Sequence, residues 1–156
     1  MPWKDFYFET SITSLGSNSV AIGLTTHIPK KRSLRFPGRI CKTASLEVQD
    51  KRFSVYFGSS IPVEKEYRSA SSSDVLGCKV EMISDDTARY RLCTFTINGN
   101  PAGTPRYLED VELFPSIMTN SPGAILDTNF GKKRFYHDPK GTHCKQHYNY
   151  NNFIIS

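Results

Sequence analysis

The stretch that decides the fold is residues 113–131, LFPSIMTNSPGAILDTNFG. Apolar and β-branched residues stand on both sides of Pro122-Gly123, and positions 124–130 then alternate between two sets of side chains. A period of two predicts β-strands, and a Pro-Gly pair predicts a tight turn. We therefore predict two strands joined as a hairpin, with Gly131 marking the place where the second strand ends.

Working outward, strand patterns recur towards the N-terminus. Residues 6–12 and 20–24 both alternate, and the Gly-Ser-Asn-Ser turn at 16–19 separates them, which predicts another antiparallel hairpin. Gly23 interrupts the second strand and indicates a bulge or a close backbone approach. These patterns place the N-terminal quarter of the chain in β-structure.

The central part of the chain predicts further hairpins. Residues 43–57 carry two alternating runs around a turn at 50–52, and residues 75–97 carry two more around a turn at 84–87. Asn98-Gly99 is typical of a two-residue hairpin turn. Residues 61–73 are polar and serine-rich, and we predict an exposed connection there.

Length and composition limit the class of protein. The chain has 156 residues, 38% hydrophobic and 22% charged, which fits one folded domain and excludes disorder throughout. No apolar run approaches the roughly 18 residues of a membrane helix, and the N-terminus lacks the pattern of a secretory signal. We expect a soluble chain with a domain over residues 1–138 and a polar tail over 139–156, packed on the domain or fraying from it.

Several motifs occur in the order found in one known family. They are FYFETSI at 6–12, VAIGLT at 20–25, DVLGC at 74–78, FTINGNPAG at 95–103, and the closing LFP, SPG and DTNFG within 113–131. Together they resemble SPRY (B30.2-like) domains of the Ran-binding protein M type, over about residues 6–138. The resemblance implies an all-β sandwich of two antiparallel sheets with about a dozen short strands.

The resemblance also implies a function. SPRY domains are non-catalytic modules that recognise a peptide or protein through end loops, as scaffolds or as substrate receptors of ubiquitin ligases. It implies a cytoplasmic monomer without cofactors, whose partner is a protein or linear peptide. Two alternatives remain open: a stand-alone secreted parasite effector of SPRY type that acts on host proteins in the host-cell cytoplasm, and a basic domain that binds polyanions or nucleic acid.

The family's binding face can be transferred to this sequence by position. The resemblance implies partner contacts from the loop before Pro37-Gly38, from the hairpin over 43–57 and from the turn that precedes Gly123. The residues are Arg35, Phe36, Ser45, Glu47, Val55, Tyr56, Thr119, Asn120, Ser121 and Pro122. At positions 45–47 the usual aromatic-glycine signature of the family is replaced by Ser, Leu and Glu, so the family's ligand preference does not transfer.

Charge is distributed unevenly. The net charge is +5, and basic residues cluster in 30–42 and 132–134. Residues 27–42 contain no acid, two prolines and a glycine, which predicts a solvated loop. Such a loop could be plain surface, a contact for an acidic partner, or a contact for nucleic acid or phospholipid.

Reactive side chains give no enzyme signature. The chain lacks a nucleophile elbow, a phosphate loop and a dinucleotide fingerprint, so we predict no catalytic residues and no cofactor. His137, His143, Cys144 and His147 are the best metal candidates, but glycine and asparagine around them argue against a helix that would align them, and we predict no metal site. Cys41, Cys78, Cys93 and Cys144 lack zinc or redox spacing, which favours free thiols over disulfides.

Overall fold

The computed structural model describes residues 5–15, 19–26, 43–84, 86–109, 112–119, 122–137 and 154–155. Within these ranges the chain forms twelve strands and no helix. The strands are Phe6–Ser14 (β1), Ser19–Thr25 (β2), Ala44–Gln49 (β3), Arg52–Phe57 (β4), Glu64–Ser69 (β5), Val75–Ser84 (β6), Arg89–Ile97 (β7), Asn100–Pro101 (β8), Arg106–Glu109 (β9), Phe114–Thr119 (β10), Ile125–Asn129 (β11) and Ile154–Ile155 (β12). The described residues contain no helix of the length and hydropathy that a membrane span needs.

The strands form two sheets. The first sheet has the order β11-β1-β6-β7-β8, with β9 also paired to β7, and the second sheet has the order β12-β10-β2-β3-β4-β5. Every pairing is antiparallel except that of β12, which runs parallel to β10 and joins Ile154 and Ile155 to the second sheet. The predicted all-β sandwich is confirmed.

The core lies between the two inner faces. It contains alternate residues of the first sheet, such as Phe6, Phe8 and Val80, and of the second sheet, such as Ile22 and Leu46, all fully buried. Because side chains alternate across a strand, each sheet gives one complete apolar face to this layer. The burial of these two faces is the main driving force for the fold.

Two of the predicted hairpins are wrong. β1 pairs with β6 and β11, whereas β2 pairs with β3 and β10, so the first two strands belong to different sheets. The strands on either side of Pro122-Gly123 are likewise divided, because β10 lies in the second sheet and β11 in the first. Alternation identifies a strand but not its partner, and here the chain crosses between layers where a short turn suggested a hairpin.

The central hairpins are confirmed. β3 pairs with β4, β6 with β7 and β7 with β8. Asn98 and Gly99 have φ values of 52° and 81°, the left-handed conformation of a type I′ turn.

The predicted exposed connection over 61–73 is wrong in part, because Glu64–Ser69 forms β5 on the edge of the second sheet. Its sequence EKEYRS lacks apolar alternation and is rich in charge. Charged side chains are common on edge strands because they prevent the open edge from pairing with other molecules. The apolar pattern used to predict the other strands is therefore missing from this one.

Gly23 is required by close approach of two backbones. A Cβ at this position would overlap the carbonyl oxygen of Ala44 and would lie 3.0 Å from the Cα of Ser45. Both contacts are with the neighbouring strand β3, whose register sets Gly23 opposite Ser45. The predicted close packing at Gly23 is confirmed.

We expect Gly23→Ala to lower the free energy of unfolding by more than about 2 kcal/mol, because the strands must separate to admit the methyl group. Gly123→Ala is the matched control: its φ is 81° and nothing lies within 4 Å of the added Cβ. That control should cost only the backbone strain of about 1–2 kcal/mol. Urea denaturation of both variants measures the difference, and equal losses would contradict the steric explanation.

The segment after β11 is held against the outer face of the first sheet by a buried carboxylate. Glu9, on β1, is fully buried and accepts hydrogen bonds from the backbone N–H of Tyr136 (2.5 Å) and of His137 (3.4 Å). The Tyr7 hydroxyl donates to the same carboxylate at 3.1 Å. Burial of a carboxylate lowers the stability of the folded state unless the carboxylate is hydrogen-bonded. These three donors offset the loss of hydration of Glu9.

Asn129 fixes the start of the same segment. It lies opposite Glu9 in the β1–β11 register, and its side-chain oxygen accepts the N–H of Gly131 at 2.9 Å. Its amide nitrogen donates to the carbonyl oxygens of Lys133 (2.9 Å) and Arg134 (3.3 Å). The asparagine of the DTNFG motif therefore folds the chain back over the strand pair that carries it.

Aromatic packing completes this contact. The Phe135 ring meets the Tyr7 ring edge to face, with centroids 4.9 Å apart. Beneath Tyr7 there is room only for glycine, because a Cβ on Gly77 would overlap the Tyr7 hydroxyl oxygen. Residues 131–137, which we call the closing segment, thus cover part of the outer face of the first sheet.

We expect Glu9→Leu to lower the free energy of unfolding by about 2–3 kcal/mol, because it leaves buried donors without an acceptor. Amide hydrogen exchange at Tyr136 and His137 should become faster. Glu112→Leu changes an exposed carboxylate and should alter stability by no more than about 0.5 kcal/mol. Unchanged exchange at positions 136 and 137 in Glu9→Leu would show that the carboxylate does not hold the closing segment.

Stability should depend on Tyr7 at high pH. Burial, followed by the nearby charge of Glu9, raises the pKa of Tyr7 well above its usual value. Neutral Tyr7 is therefore favoured in the folded state, and its contribution is complete below about pH 10, the unfolded value, and is lost as pH rises further. We expect the fall in stability above pH 10 to be shallower in Tyr7→Phe. Urea denaturation at a series of pH values below and above about 10 measures the two slopes, and equal slopes would contradict this role of Tyr7.

Two cysteines face each other in the core. Cys78 on β6 and Cys93 on β7 are free and buried, with sulfur atoms 4.0 Å apart. Burial raises the pKa of the Cys78 thiol, which keeps it protonated. For these two residues the predicted free thiols are confirmed, whereas Cys41 and Cys144 lie outside the described residues.

Candidate protein-binding cleft on the second sheet

The hairpin formed by β3 and β4 forms part of the outer face of the second sheet. Two rows of side chains cross it, Gly23–Ser45–Tyr56 and Ala21–Glu47–Ser54. Their sequence neighbours, such as Leu46 and Val55, point into the core. The two rows thus form a floor of mainly small and polar side chains.

This floor is buried near its centre and opens towards the tip of the hairpin. Ser45 and Glu47 are fully buried, and the Ser45 hydroxyl donates a long hydrogen bond of 3.5 Å to the Glu47 carboxylate. Tyr56 is largely buried, and Ser54 is half-buried. Towards the tip, Arg52 is exposed.

A cleft of about 920 Å³ lies at the open end of this floor. Its size is within the range of pockets that hold ligands or side chains of a partner. The described residues that line it are Gln49, Asp50, Arg52, Phe53, Ser54, Tyr56, Pro62, Lys65, Glu66 and Ser69.

A tight turn shapes one end of the cleft. Asp50 and Lys51 have φ values of 50° and 61°, so the two-residue β3–β4 turn has the type I′ conformation without a glycine. This turn sets Gln49 opposite Arg52 in the ladder. Both side chains are therefore presented at the mouth of the cleft by a rigid hairpin.

A bulge shapes the other wall. Phe53 is opposite Glu66 and Arg52 is opposite Ser69, so β5 has two additional residues, Tyr67 and Arg68, at this point. A bulge bends the strand that carries it. The cleft lies where the edge strand bends away from β4.

The bulged strand is also tied to the first sheet. The Glu64 carboxylate, at the start of β5, accepts the backbone N–H of Thr104 at 2.6 Å and the Thr104 hydroxyl at 3.0 Å. Thr104 belongs to the connection between β8 and β9. One wall of the cleft is thus held by the β3–β4 ladder and the other by the hydrogen bonds of Glu64 to Thr104, so the cleft is formed without a partner.

The cleft has charges of both signs. Arg52 and Lys65 are cationic, Asp50 and Glu66 are anionic, and Ser54, Ser69 and Gln49 supply neutral hydrogen-bonding groups. Pro62 adds apolar surface, whereas the Phe53 side chain is fully buried in the core and borders the cleft only from beneath. A surface of this mixed kind can bind a polypeptide through its backbone and side chains, whereas a polyanion would need one dominant charge.

The structure locates six of the ten residues predicted to contact a partner. Ser45, Glu47 and Tyr56 share the outer face of the second sheet, whereas Val55 points into the core. Thr119 is half-buried, and its hydroxyl donates to the carbonyl oxygen of Ser19 at 2.8 Å. Pro122 is exposed at the crossover between sheets. Arg35, Phe36, Asn120 and Ser121 lie outside the described residues.

Sequence reasoning does not find the other cleft residues. The sequence pattern places Arg52 and Ser54 only in a turn and a strand, and it places Lys65 and Glu66 in the region predicted to be an exposed connection. The signal that could have found them is the alternation within β4 and the charged composition of β5, which is typical of an edge strand.

The described residues provide neither a cluster of metal ligands nor a basic cluster free of acidic neighbours. They contain no group of three or more His, Cys, Asp or Glu that could hold a metal ion. Of the four metal candidates only His137 is described. In the basic cluster 132–134, Lys133 donates to Asp127 at 2.7 Å, which raises the pKa of Lys133 and offsets part of the local charge.

Comparison with known proteins connects the chain to one group of proteins. No family model matches the sequence. The chain is 30% identical to Ran-binding protein 9 of Xenopus tropicalis over 134 residues, which cover 85% of this chain and 22% of that protein. It is 28% identical to Ran-binding protein 10 of Danio rerio and 27% identical to Ran-binding protein 9 of Homo sapiens, over 85% of this chain in both cases, and over 20% and 17% of those proteins.

The chain thus spans about a fifth of the length of these curated relatives. By their names, the relatives bind the protein Ran. The similarity is distant, covers most of this chain, and agrees with the Ran-binding type of resemblance seen in its motifs.

Proposed function

We propose that this chain is a non-catalytic protein-recognition module of SPRY type, which binds a peptide or protein segment in the cleft formed by β3, β4 and β5. The observation that carries the proposal is the preformed cleft of about 920 Å³ with polar, charged and apolar lining. The similarity to Ran-binding proteins 9 and 10 supports protein recognition in general.

The geometry supports binding at this place for two reasons. The cleft lies between a rigid turn and a bulged edge strand, and loops and edges carried on a rigid scaffold are common positions for binding residues. Its charged groups are of both signs, so recognition depends on their arrangement more than on net charge. The crossover at Pro122, exposed at the surface, is proposed as a second contact.

The finer assignments are part of the same proposal. A scaffold or substrate-receptor role, including one in a ubiquitin-ligase assembly, follows from the resemblance to SPRY domains, and it implies a cytoplasmic location. A secreted effector of SPRY type would use the same cleft on a host protein. Identification of the bound protein would separate the two.

We expect Ser54→Trp to reduce binding of a cognate partner at least about tenfold, because the indole would fill the floor of the cleft. Arg52→Asp tests the same site without adding bulk and should also weaken binding. Thr13→Trp, at an exposed position near the end of β1 in the first sheet, is the matched control. Proximity labelling in the native cell supplies the partners, and titration of purified candidates against the four folded proteins measures affinity.

Two outcomes would contradict the proposal. Partners that bind Ser54→Trp and Arg52→Asp as well as the wild type would exclude the cleft as the recognition site. Partners that prove to be nucleic acids, bound with affinity that falls steeply with salt and without regard to sequence, would favour the polyanion-binding alternative.

A further inference from the structure

A second exposed surface lies on the first sheet, away from the cleft and beyond the function proposed for it. On the outer face of β6, β7 and β9, the register forms two rows, Glu81–Leu92–Tyr107 and Ile83–Tyr90–Glu109. Tyr107 is 64% exposed, Tyr90 41% and Ile83 40%. We call these six residues the tyrosine patch.

The two tyrosines form a defined aromatic pair. Their rings meet edge to face with centroids 5.9 Å apart, although Tyr90 and Tyr107 lie on different strands. Exposed aromatic rings that are already packed against each other lose little conformational entropy on binding. Their faces carry the negative part of the ring quadrupole and therefore attract cations.

Among the described residues, carboxylates outnumber cations around the patch. Glu81 and Glu109 belong to its two rows, and Asp5, beside them, accepts the backbone N–H of Met82 at 2.8 Å. Neither row contains a cation. The nearest described cation on this face, Lys79 in the next row, is paired with Glu81 at 3.0 Å.

The arginines of the same strands are directed elsewhere. Arg91 on β7 is almost fully buried, and the Arg106 guanidinium on β9 lies over the ring of Phe57 in the second sheet, 5.9 Å from its centroid. Arg89 precedes Tyr90 and so points to the opposite side of the strand. A chain of net charge +5 thus carries, at this place, a locally acidic aromatic surface.

The closing segment does not cover the tyrosine patch. It covers the row of Glu9 and Gly77 through Tyr136 and His137, whereas the tyrosine patch lies further along β6 and β7. One half of the outer face is thus covered by the chain itself, and the other half presents two tyrosines to solvent.

We propose that the tyrosine patch is a docking surface for a basic, extended segment of a partner protein, with a lysine or arginine side chain over the tyrosine rings and its charge beside Glu109. Charge complementarity and cation–π attraction select this occupant. A cation held between aromatic faces and carboxylates gains both interactions together.

The probe is a short synthetic peptide that alternates arginine with serine, titrated into the full chain and followed by backbone amide NMR shifts. We expect shifts centred on residues 81–83, 90–92 and 107–109. Binding should weaken as ionic strength rises from about 0.01 to 0.15 M, since the Debye length falls from roughly 30 to 8 Å. A counterpart peptide with glutamate in place of arginine should cause no shifts there.

Substitutions test the residues individually. Tyr107→Ala should weaken binding about two- to fivefold, the range for an exposed cation–π contact, and Tyr90→Ala with Tyr107→Ala about tenfold. Tyr136→Ala is the matched aromatic control, because Tyr136 is 65% exposed and lies in the closing segment. Glu109→Gln should reduce the dependence on salt, whereas Asp127→Asn, which removes the same charge on β11, should not.

Any one of three outcomes would overturn the proposal. Arginine-peptide binding that Tyr107→Ala and Glu109→Gln leave unchanged would place the contact elsewhere. Shifts at the patch caused by a neutral proline-rich peptide, but not by the arginine peptide, would make it an apolar site. Concentration-dependent dimerisation lost in Tyr107→Ala would make it an interface between two copies of this chain. The cleft variants Ser54→Trp and Arg52→Asp should bind the arginine peptide normally, so failure here is separate from failure of the cleft.

Discussion

The buried carboxylate of Glu9 is the constraint on which the arrangement of the first sheet depends. A carboxylate without water must find donors within the protein, and Glu9 finds two backbone N–H groups of the closing segment and one tyrosine hydroxyl. To supply them, the chain must turn back immediately after β11, which Asn129 enforces through hydrogen bonds to 131, 133 and 134. The strand pair β1–β11 therefore determines which half of the outer face is covered and which half remains available.

The two candidate surfaces lie on opposite sides of the sandwich. The cleft belongs to the second sheet and has groups of both charges, whereas the tyrosine patch belongs to the first sheet and is acidic and aromatic. The apolar layer between them is closely packed and holds both sheets rigid. Because the two surfaces are on different sheets, occupation of one leaves the other accessible.

Much of the fold could be predicted from the sequence, but the pairing of strands could not. Alternation located most strands and their core faces, and turn residues located the β3–β4, β6–β7 and β7–β8 hairpins correctly. The partners of β1 and β10 were wrong, because a strand shows the same alternation whether its neighbour in the sheet is next in sequence or distant. Family resemblance supplied the sandwich, which local patterns could not specify.

The candidate site was less predictable for a similar reason. Tyr56 was named from its position in a divergent hairpin, yet the cleft around it depends on β5, whose charged sequence shows no apolar period. The tyrosine patch was not predicted at all. Tyr90, Leu92 and Tyr107 are brought together only by the β7–β9 register, and nothing in a linear sequence shows which face of a strand remains uncovered.

The pairing of β1 with β11 has a consequence for synthesis of the protein. Strand β1 leaves the ribosome before both of its partners in the sheet, and 118 residues separate Thr10 on β1 from Thr128, its neighbour on β11. During translation, this edge of β1 stays unpaired, and the apolar side chains of Phe6 and Phe8 stay incompletely buried, until residues 125–129 have been synthesised. Contacts between such distant segments form slowly, and an exposed strand edge is prone to aggregation in the interval.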